Sequence, residues 1–415
     1  MRSDLMGEAN HFHTLLISDS VAPMLVADVF DSQYRAYIKS MFCRDLPLYR
    51  KAYIANVAKK GFDSWRDSII ESINDLHDKN SWEFASTGKR VSFGLVRVAN
   101  IKVAIKVARV LAEKMGNAHV ACYHSNLFMM HRHLLECRLD LLLNRTNGNK
   151  HIENDSEIAD IINRSESKNI LFIVVATPVE EIGRDHDFDW AVIEPSSTQA
   201  IVQPAGRVNR HRLKIMQTEN IAILRGNHKV CVGNKKSSEP VFTKPGLETA
   251  DNIFPHDLLK LMPALTFPVD ASLRFDGCEF ARLDDVSLAE KMGTATDYFS
   301  ESGKYFMSAH YKNNRLRDEN NSNVWANIKG EFCLRKLYKD TFGRKHYTFT
   351  SYDSCVDKNR AKLSNAWLSW TVDELSNKCL ELNVPVERGM SVSIAYSQNA
   401  LEINFDLHYG FSLHD

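Results

Sequence analysis

Two short blocks between Ile170 and Arg212 hold the residue types best suited to chemistry. The first is an apolar run, Leu171 to Ala176, opening into Thr177-Pro178 and then Gly183-Arg184-Asp185. The second is Gln203-x-x-Gly206-Arg207-x-x-Arg210. A Gln and two arginines at this spacing fall on one side of a helix start, as clamping a triphosphate held by a neighbouring domain requires. Arginine suits the task because its planar fork stays charged and grips phosphate oxygens bidentately. A glycine at 183 lets backbone approach a phosphate or a nucleotide. Asp185 can accept from a ribose hydroxyl or from an arginine of the second block, and Thr177 can donate to a nucleic-acid phosphate. Pro204, inside the second block, is tolerated in a helix only in its first turn.

The elements that must position these blocks alternate. From Arg90 the pattern predicts a strand over Val91–Val98, then a helix lined by Ile101, Ala104, Ile105, Ala108 and Leu111 that ends at Gly116-Asn117. A strand over His119–Tyr123 and a helix from about Leu127 to Asn144 follow, then a polar stretch and the strand Ile170–Ala176. A strand at Trp190–Ile193, a helix through about Gln199–Val208 and a strand at Ile221–Leu224 complete the unit. Alternating β and α elements with continuous apolar strands predict a parallel sheet with helices on both faces. Loops at the carboxyl ends of such strands carry binding residues. Arg97, Asn100, His124 and Ser125 stand there, and each taken singly is as well explained by a structural role.

Together the two blocks resemble motifs V and VI of superfamily-2 helicases, in their second RecA-like domain. The wording ATPVEEIGRDHDFDWAVIEPSS, followed by QPAGRVNRHR, is similar to the CRISPR-associated helicase–nuclease of type I-F, the Yersinia subtype. Phe93 to Ile101, Cys122 to Ser125 and Phe242 to Gly246 fit the same family. The resemblance is dense from about Phe93 to Leu224 and thinner on both sides. It implies an α/β fold: a RecA-like parallel sheet flanked by helices, plus a mixed α+β C-terminal domain. It implies that Arg207 and Arg210 act as fingers on the γ-phosphate, with Gln203 contacting nucleotide or relaying its state. Gly183, Asp185 and Gly206 would lie on the ATP side. Arg97, Asn100, His124, Ser125 and Thr177 would line a track for single-stranded DNA.

The same resemblance orders the chain. Residues 1–40 would close a first RecA-like domain, 41–89 form a helical connector, 90–230 the second RecA-like domain, and 231–415 a linker and C-terminal domain. Residues 11–30 read as a strand and then a helix after Pro23, and 33–80 as helical, with Phe62, Trp65, Ile69, Ile73 and Leu76 in one stripe. Ser18-Asp19-Ser20 stands where the family has Ser-Ala-Thr, which departs from the pattern that couples nucleotide state to DNA grip. No G-x-x-x-x-G-K-[ST] loop and no Asp-Glu-x-His or Asp-Glu-Ala-Asp box occurs. ATP and Mg²⁺ would then be bound mainly by a first RecA-like domain outside this chain, and the chain alone is expected not to turn over ATP. The implied partners are single-stranded DNA, the type I-F RNA-guided surveillance complex, and HD nuclease and first RecA-like domains missing from the chain. The alternative is a truncated, non-catalytic DNA-binding or interaction module.

Bulk properties fit a soluble globular chain. Of 415 residues, 44% are hydrophobic and 25% charged, with 52 basic residues against 52 acidic ones. A protein coating itself in nucleic acid would be more basic, so any DNA contact must be a local groove. Eight single cysteines without C-x-x-C, no signal peptide and no membrane span point to a reducing cytoplasm. Asp185-His186-Asp187, His131 and His133 invite a metal-nuclease reading, but the further ligands of such a site are lacking, and no metal site is expected. Basic and aromatic residues interleave from Lys304 to Phe349, a pattern that suits stacked single strands or an ordinary solvated surface.

Overall fold

Continuous apolar strands can be buried on both faces only if helices cover both, and this chain does so. The computed structural model describes residues 14–18, 21–26, 47–56, 61–181, 183–232, 239–241, 248, 256–262, 264–270, 332–339, 345–352, 365–394, 402–406 and 408–414. The main sheet has eight strands. Six run parallel in the order β3 (Lys51–Ala55), β9 (Ile221–Leu224), β8 (Trp190–Ile193), β5 (Lys89–Arg97), β7 (Asn169–Ala176) and β6 (Ala118–Tyr123). β10 (Thr266–Pro268) adds antiparallel to β3, and β4 (Trp82–Phe84) antiparallel to the start of β5. The architecture is α/β.

The period-2 alternation of β7 shows how the sequence splits between two cores. Ile170, Phe172, Val174 and Ala176 meet Leu135, Leu139 and Leu142 of the Met129–Leu142 helix, and Ile158 and Ile162 of the Ser156–Arg164 helix. Leu171, Ile173 and Val175 face the other way. They share a core with Trp65, Ile69, Ile73 and Leu76 of the Phe62–Asn80 helix and with Ala104, Ala108 and Leu111 of the Ile101–Lys114 helix. Gly94 has a packing reason. A Cβ there would lie 2.1 Å from the Trp190 ring, which crosses β5 and donates from Nε1 to Ser92 Oγ at 2.9 Å.

The chain departs from the sequence expectation in four places. Residues 51–55 form β3 rather than helix. The segment alternates, with Ala52 and Ile54 in one core and Ala55 in the other, and β9 and β10 supply its ladder partners; pairing of this kind overrides local preference. Val21–Val26 is β2, an antiparallel partner of β1 (Thr14–Ser18), where a helix after Pro23 was expected. Pro23 is tolerated because both strands of a two-stranded sheet are edges and it lies at the irregular part of the ladder. The polar stretch before β7 contains the Ser156–Arg164 helix, started by Asp155, whose side chain accepts from Ile158 N at 3.0 Å. The fourth departure concerns Gln203 to Arg210 and is described with the site.

The later segments return to the sheet. Ala366 bridges Val120 on the open edge of β6, and Trp367 packs on Phe93 and Phe172. The Val372–Glu381 helix, opened by a Thr371/Glu374 capping box, packs with the Met129–Leu142 helix. β14 (Glu402–Asp406) and β15 (Gly410–His414) form a hairpin whose tip reaches the end of β6. In the basic and aromatic region 304–349, the backbone of β11 (Phe332–Lys339) and β12 (Lys345–Tyr352) forms a sheet with β13 (Ser391–Ile394). The side chains that carried that reading lie outside the described residues, as do Phe242 to Gly246 and Asp19-Ser20. Among the described residues, no helix is long and apolar enough to cross a membrane.

Candidate functional site

Parallel registry brings three predicted loops to one edge. Arg97 of β5 pairs with Ala176 of β7, which pairs with Tyr123 of β6. Thr177 N donates to Tyr123 O at 3.1 Å and Val98 N to Ala176 O at 2.9 Å. Arg97, His124 and Thr177 therefore sit at the ends of neighbouring strands, and Asn100 and Ser125 follow within three residues. Asn100 is exposed and caps the Ile101–Lys114 helix, accepting from Lys102 N at 2.9 Å. Ser125 is half-buried and Thr177 buried.

Arg97 and His124 differ from a surface track in one respect: neither has exposed area. Arg97 donates from Nε to Glu181 at 2.7 Å and from Nη1 to the Glu194 carbonyl at 3.0 Å. His124 donates from Nε2 to the Tyr409 carbonyl at 2.6 Å and accepts at Nδ1 from Asn126 N at 3.1 Å. Both ring nitrogens are satisfied in the neutral form. Burial pushes the imidazole down to about 4. The positive groups nearer the surface are Arg132 and Arg184, which share the Glu136 carboxylate at 2.7 and 2.5 Å. Arg132 did not stand out in the sequence, and Arg184 appeared there only as the middle of Gly183-Arg184-Asp185, with no role of its own.

The segment after β7 turns sharply. Pro178–Glu180 is a single 3₁₀ turn, and Gly183 takes a φ of 69°, in the left-handed region that favours glycine. Among the described residues nothing lies within 4 Å of where its Cβ would be, so the requirement is conformational rather than steric. Glu180 and Glu181 point inward, Asp185 outward. His186 lies buried between Glu180, 2.6 Å from Nδ1, and Asp140, 2.9 Å from Nε2. Burial opposes its charged form, but the two carboxylates raise its pKa above the ordinary imidazole range.

Asp187 and Asp189 hold the second block. Asp187 accepts from the amides of Arg210, His211 and Arg212 at 3.0, 3.2 and 3.3 Å, and from Arg212 Nε and Nη2 at 2.9 and 2.8 Å. Asp189 accepts from Phe93 N and Arg145 Nη1, each at 2.8 Å, and also pairs with Arg212. The Asp185-His186-Asp187 run thus goes into a hydrogen-bonded framework. Sequence reasoning passed over Asp189, Arg145 and Arg212, and met Asp187 only in the metal-nuclease reading. The available signal was the pair of aspartates alternating with Phe188 and Trp190, since buried carboxylates demand partners.

Gln203, Gly206, Arg207 and Arg210 stand at a helix end, not a helix start. The Gln199–Ala205 helix closes at Gly206, and Pro204 falls in its last turn. Residues 207–209 then pair with Phe188: Phe188 N donates to Arg207 O at 2.8 Å, and Asn209 N to Phe188 O at 3.0 Å. Pro204 removes an amide that a continuing helix would use, and this pairing draws the chain away. Gln203 is exposed. Arg207 is buried, donating from Nη2 to the Glu181 carbonyl at 3.0 Å, while among the described residues its Nε has no hydrogen-bond partner. Burial, then the nearby Arg210 guanidinium, lowers its pKa. Arg210 is exposed and pairs with Asp185 at 2.5 Å. That bond holds the Asp185 carboxyl below its usual range.

Comparison with known proteins finds similarity over part of the chain. Residues 90–213 match the family model described as CRISPR-associated nuclease/helicase Cas3, C-terminal. The chain is 38% identical over 209 residues to the CRISPR-associated nuclease/helicase Cas3 subtype I-F/YPEST of Pseudomonas aeruginosa, covering 48% of this chain and 19% of that protein. It is 35% identical over 239 residues to the namesake from Pectobacterium atrosepticum, covering 54% and 21%. The chain thus spans about a fifth of the length of these relatives. A crystal structure of T. fusca Cas3 superposes over 95% of this chain and 41% of its own, at 10% identity and a TM-score of 0.40. A chain of a CRISPR RNA-guided surveillance complex superposes at 14% identity and 0.34, over 64% and 28%. Across the span it matches, this chain is similar to the C-terminal region of the CRISPR-associated nuclease/helicase Cas3.

Proposed function

We propose that the chain is the second RecA-like domain and C-terminal domain of an ATP-dependent helicase–nuclease that translocates on single-stranded DNA in type I-F CRISPR interference. In this reading residues 1–40 end a first RecA-like domain, 90–230 form the second together with β3, β4 and the Phe62–Asn80 helix from the 41–89 stretch, and 231–415 include the C-terminal domain. The observation that carries the reading is the pair Arg207 and Arg210, three residues apart and tied to the turn after β7 through Glu181 and Asp185. Among the described residues Arg207 Nε has no acceptor, as is also true of one guanidinium nitrogen each of Arg97, Arg145 and Arg184, which leaves it open to an anion from another domain. The two arginines would stabilise charge developing on a γ-phosphate, with Gln203 beside them. Gly183, Asp185 and Gly206 would shape the nucleotide side. ATP and Mg²⁺ would be held mainly by the first RecA-like domain, since the sequence here has no phosphate-cradling loop.

DNA phosphates would meet the loops carrying Asn100, Ser125 and Thr177, with Arg132 and Arg184 adding charge; Arg97 and His124 would support those loops from below. The RNA-guided surveillance complex would deliver the displaced strand, and an HD nuclease domain would cut it. The test uses a full-length relative. Alanine at the position matching Arg207 or Arg210 is expected to lower ATP turnover about 10³-fold or more, with a smaller effect on ATP binding. A loss under about tenfold would remove the finger assignment. The chain by itself should release no phosphate from ATP above a mock preparation, with or without DNA; release well above the mock would contradict the assignment of ATP and Mg²⁺ to another domain.

A further inference from the structure

A chain of bonds runs from β5 to the candidate finger. Arg97 has no exposed surface and binds the Glu181 carboxylate and the Glu194 carbonyl, with a longer bond to Ser196 Oγ at 3.4 Å. Glu194 is itself fixed, since its amide donates to Arg97 O at 2.9 Å. Glu181 ends the 3₁₀ turn, its amide donating to Pro178 O at 3.0 Å. The Glu181 carbonyl accepts Arg207 Nη2. Two residues further, Gly183 adopts its left-handed φ. The main chain that holds Arg207 is therefore a short turn, tied down on one side by an ion pair.

We propose that Arg97 and Glu181 are positioning residues for Arg207: their buried ion pair fixes the Glu181 main chain, whose carbonyl sets the direction in which Arg207 meets a phosphate. The proposal rests on the reading of Arg207 as a finger. It gives Arg97 a role on the nucleotide side instead of the DNA contact expected from sequence. Arginine suits position 97 because its planar fork holds a carboxylate and a carbonyl in fixed directions. The geometry matters because a misplacement of about 1 Å costs on the order of 10²-fold in rate.

The experiment measures ATP turnover on saturating single-stranded DNA in a full-length subtype I-F relative, with substitutions at the matching positions. Glu181→Gln and Arg97→Lys are each expected to lower kcat by at least ~10-fold, with KM for ATP and Kd for the DNA moving less than ~3-fold. In an Arg207→Ala background neither should lower the residual turnover further, because the residue they position is gone. If Glu181→Gln does not fold, Glu181→Asp carries the same expectation: it keeps the charge and shortens the reach. Unchanged kcat in both variants would overturn the proposal. So would a loss of DNA affinity in Arg97→Lys with kcat intact and a salt slope reduced by about one, the mark of a lost phosphate contact. If Arg207→Ala itself costs less than about tenfold, the finger reading fails; if it costs far more while both variants leave kcat alone, only the positioning role fails.

Discussion

The Arg207–Arg212 segment and the Asp406–Gly410 hairpin tip both dock on the main sheet, but by opposite chemistry. The first is held by buried charge: Asp187 and Asp189, essentially unexposed, gather Arg145, Arg212 and three backbone amides. The second is held chiefly by neutral groups. His124 donates to Tyr409 O, Phe411 N donates to Asn126 O at 2.9 Å, and His131 donates to Leu368 O at 3.2 Å in the neighbouring segment. One ion pair, Arg109 with Asp406, adds to it. A buried carboxylate framework fixes position but fails if one partner is lost. A buried neutral imidazole makes the contact depend on its not being protonated.

The sharpest way to break the comparison is to remove Asp187. Asp187→Ala leaves three amides without their acceptor and takes from Arg212 one of its two carboxylates, and should cost about 3–5 kcal/mol in urea unfolding. A loss below about 1 kcal/mol would mean that the framework is not what holds the segment.

Acid should separate the two regions next. The folded His124 lies at about 4, below an unfolded value of about 6.5. The unfolded state therefore binds the proton first, and the stabilising contribution, complete above about pH 6.5, is lost as pH falls toward 4, on the order of a few kcal/mol. His131, Asp406 and Arg132 face the ring; Asp406 opposes the shift, while His131 and Arg132 add to it. His131, also at about 4, acts in the same window. Asp189 keeps its charge there, because Arg145 and Arg212 outweigh burial and lower its pKa. Amide exchange at Phe411 should thus lose protection between pH 6.5 and 4 while Arg212 stays protected. Simultaneous loss at both would erase the distinction.

The smallest effect is expected at Arg210. Its pair with Asp185 is exposed, so Arg210→Ala should change stability by about 1 kcal/mol or less. A larger shift in the melting curve would make Arg210 a structural residue like Arg212.

His186 works in the opposite sense to His124. Glu180 and Asp140 raise its pKa, so its contribution is full below about pH 6.5 and is lost as pH rises through the higher folded value. Acid that loosens the hairpin tip therefore leaves this contact intact.

Local pattern determined much of this molecule. The apolar runs at Trp190–Ile193 and Ile221–Leu224 are strands with the bounds read from sequence, and those at Val91–Val98 and His119–Tyr123 shift by no more than two residues. Parallel connection then forced Arg97, His124 and Thr177 to one edge, because βα units return every strand in the same direction. Tertiary structure alone decided what those residues touch. Whether Arg97 faces a phosphate or Glu181 depends on a segment 84 residues away, and the partner of His124 lies 285 residues on. The helix end at Gly206 was set by pairing with Phe188, and β3 by its neighbours β9 and β10. Periodicity records which face a residue occupies; it cannot record which distant charge or carbonyl will meet it there, and burial turns that meeting into a requirement.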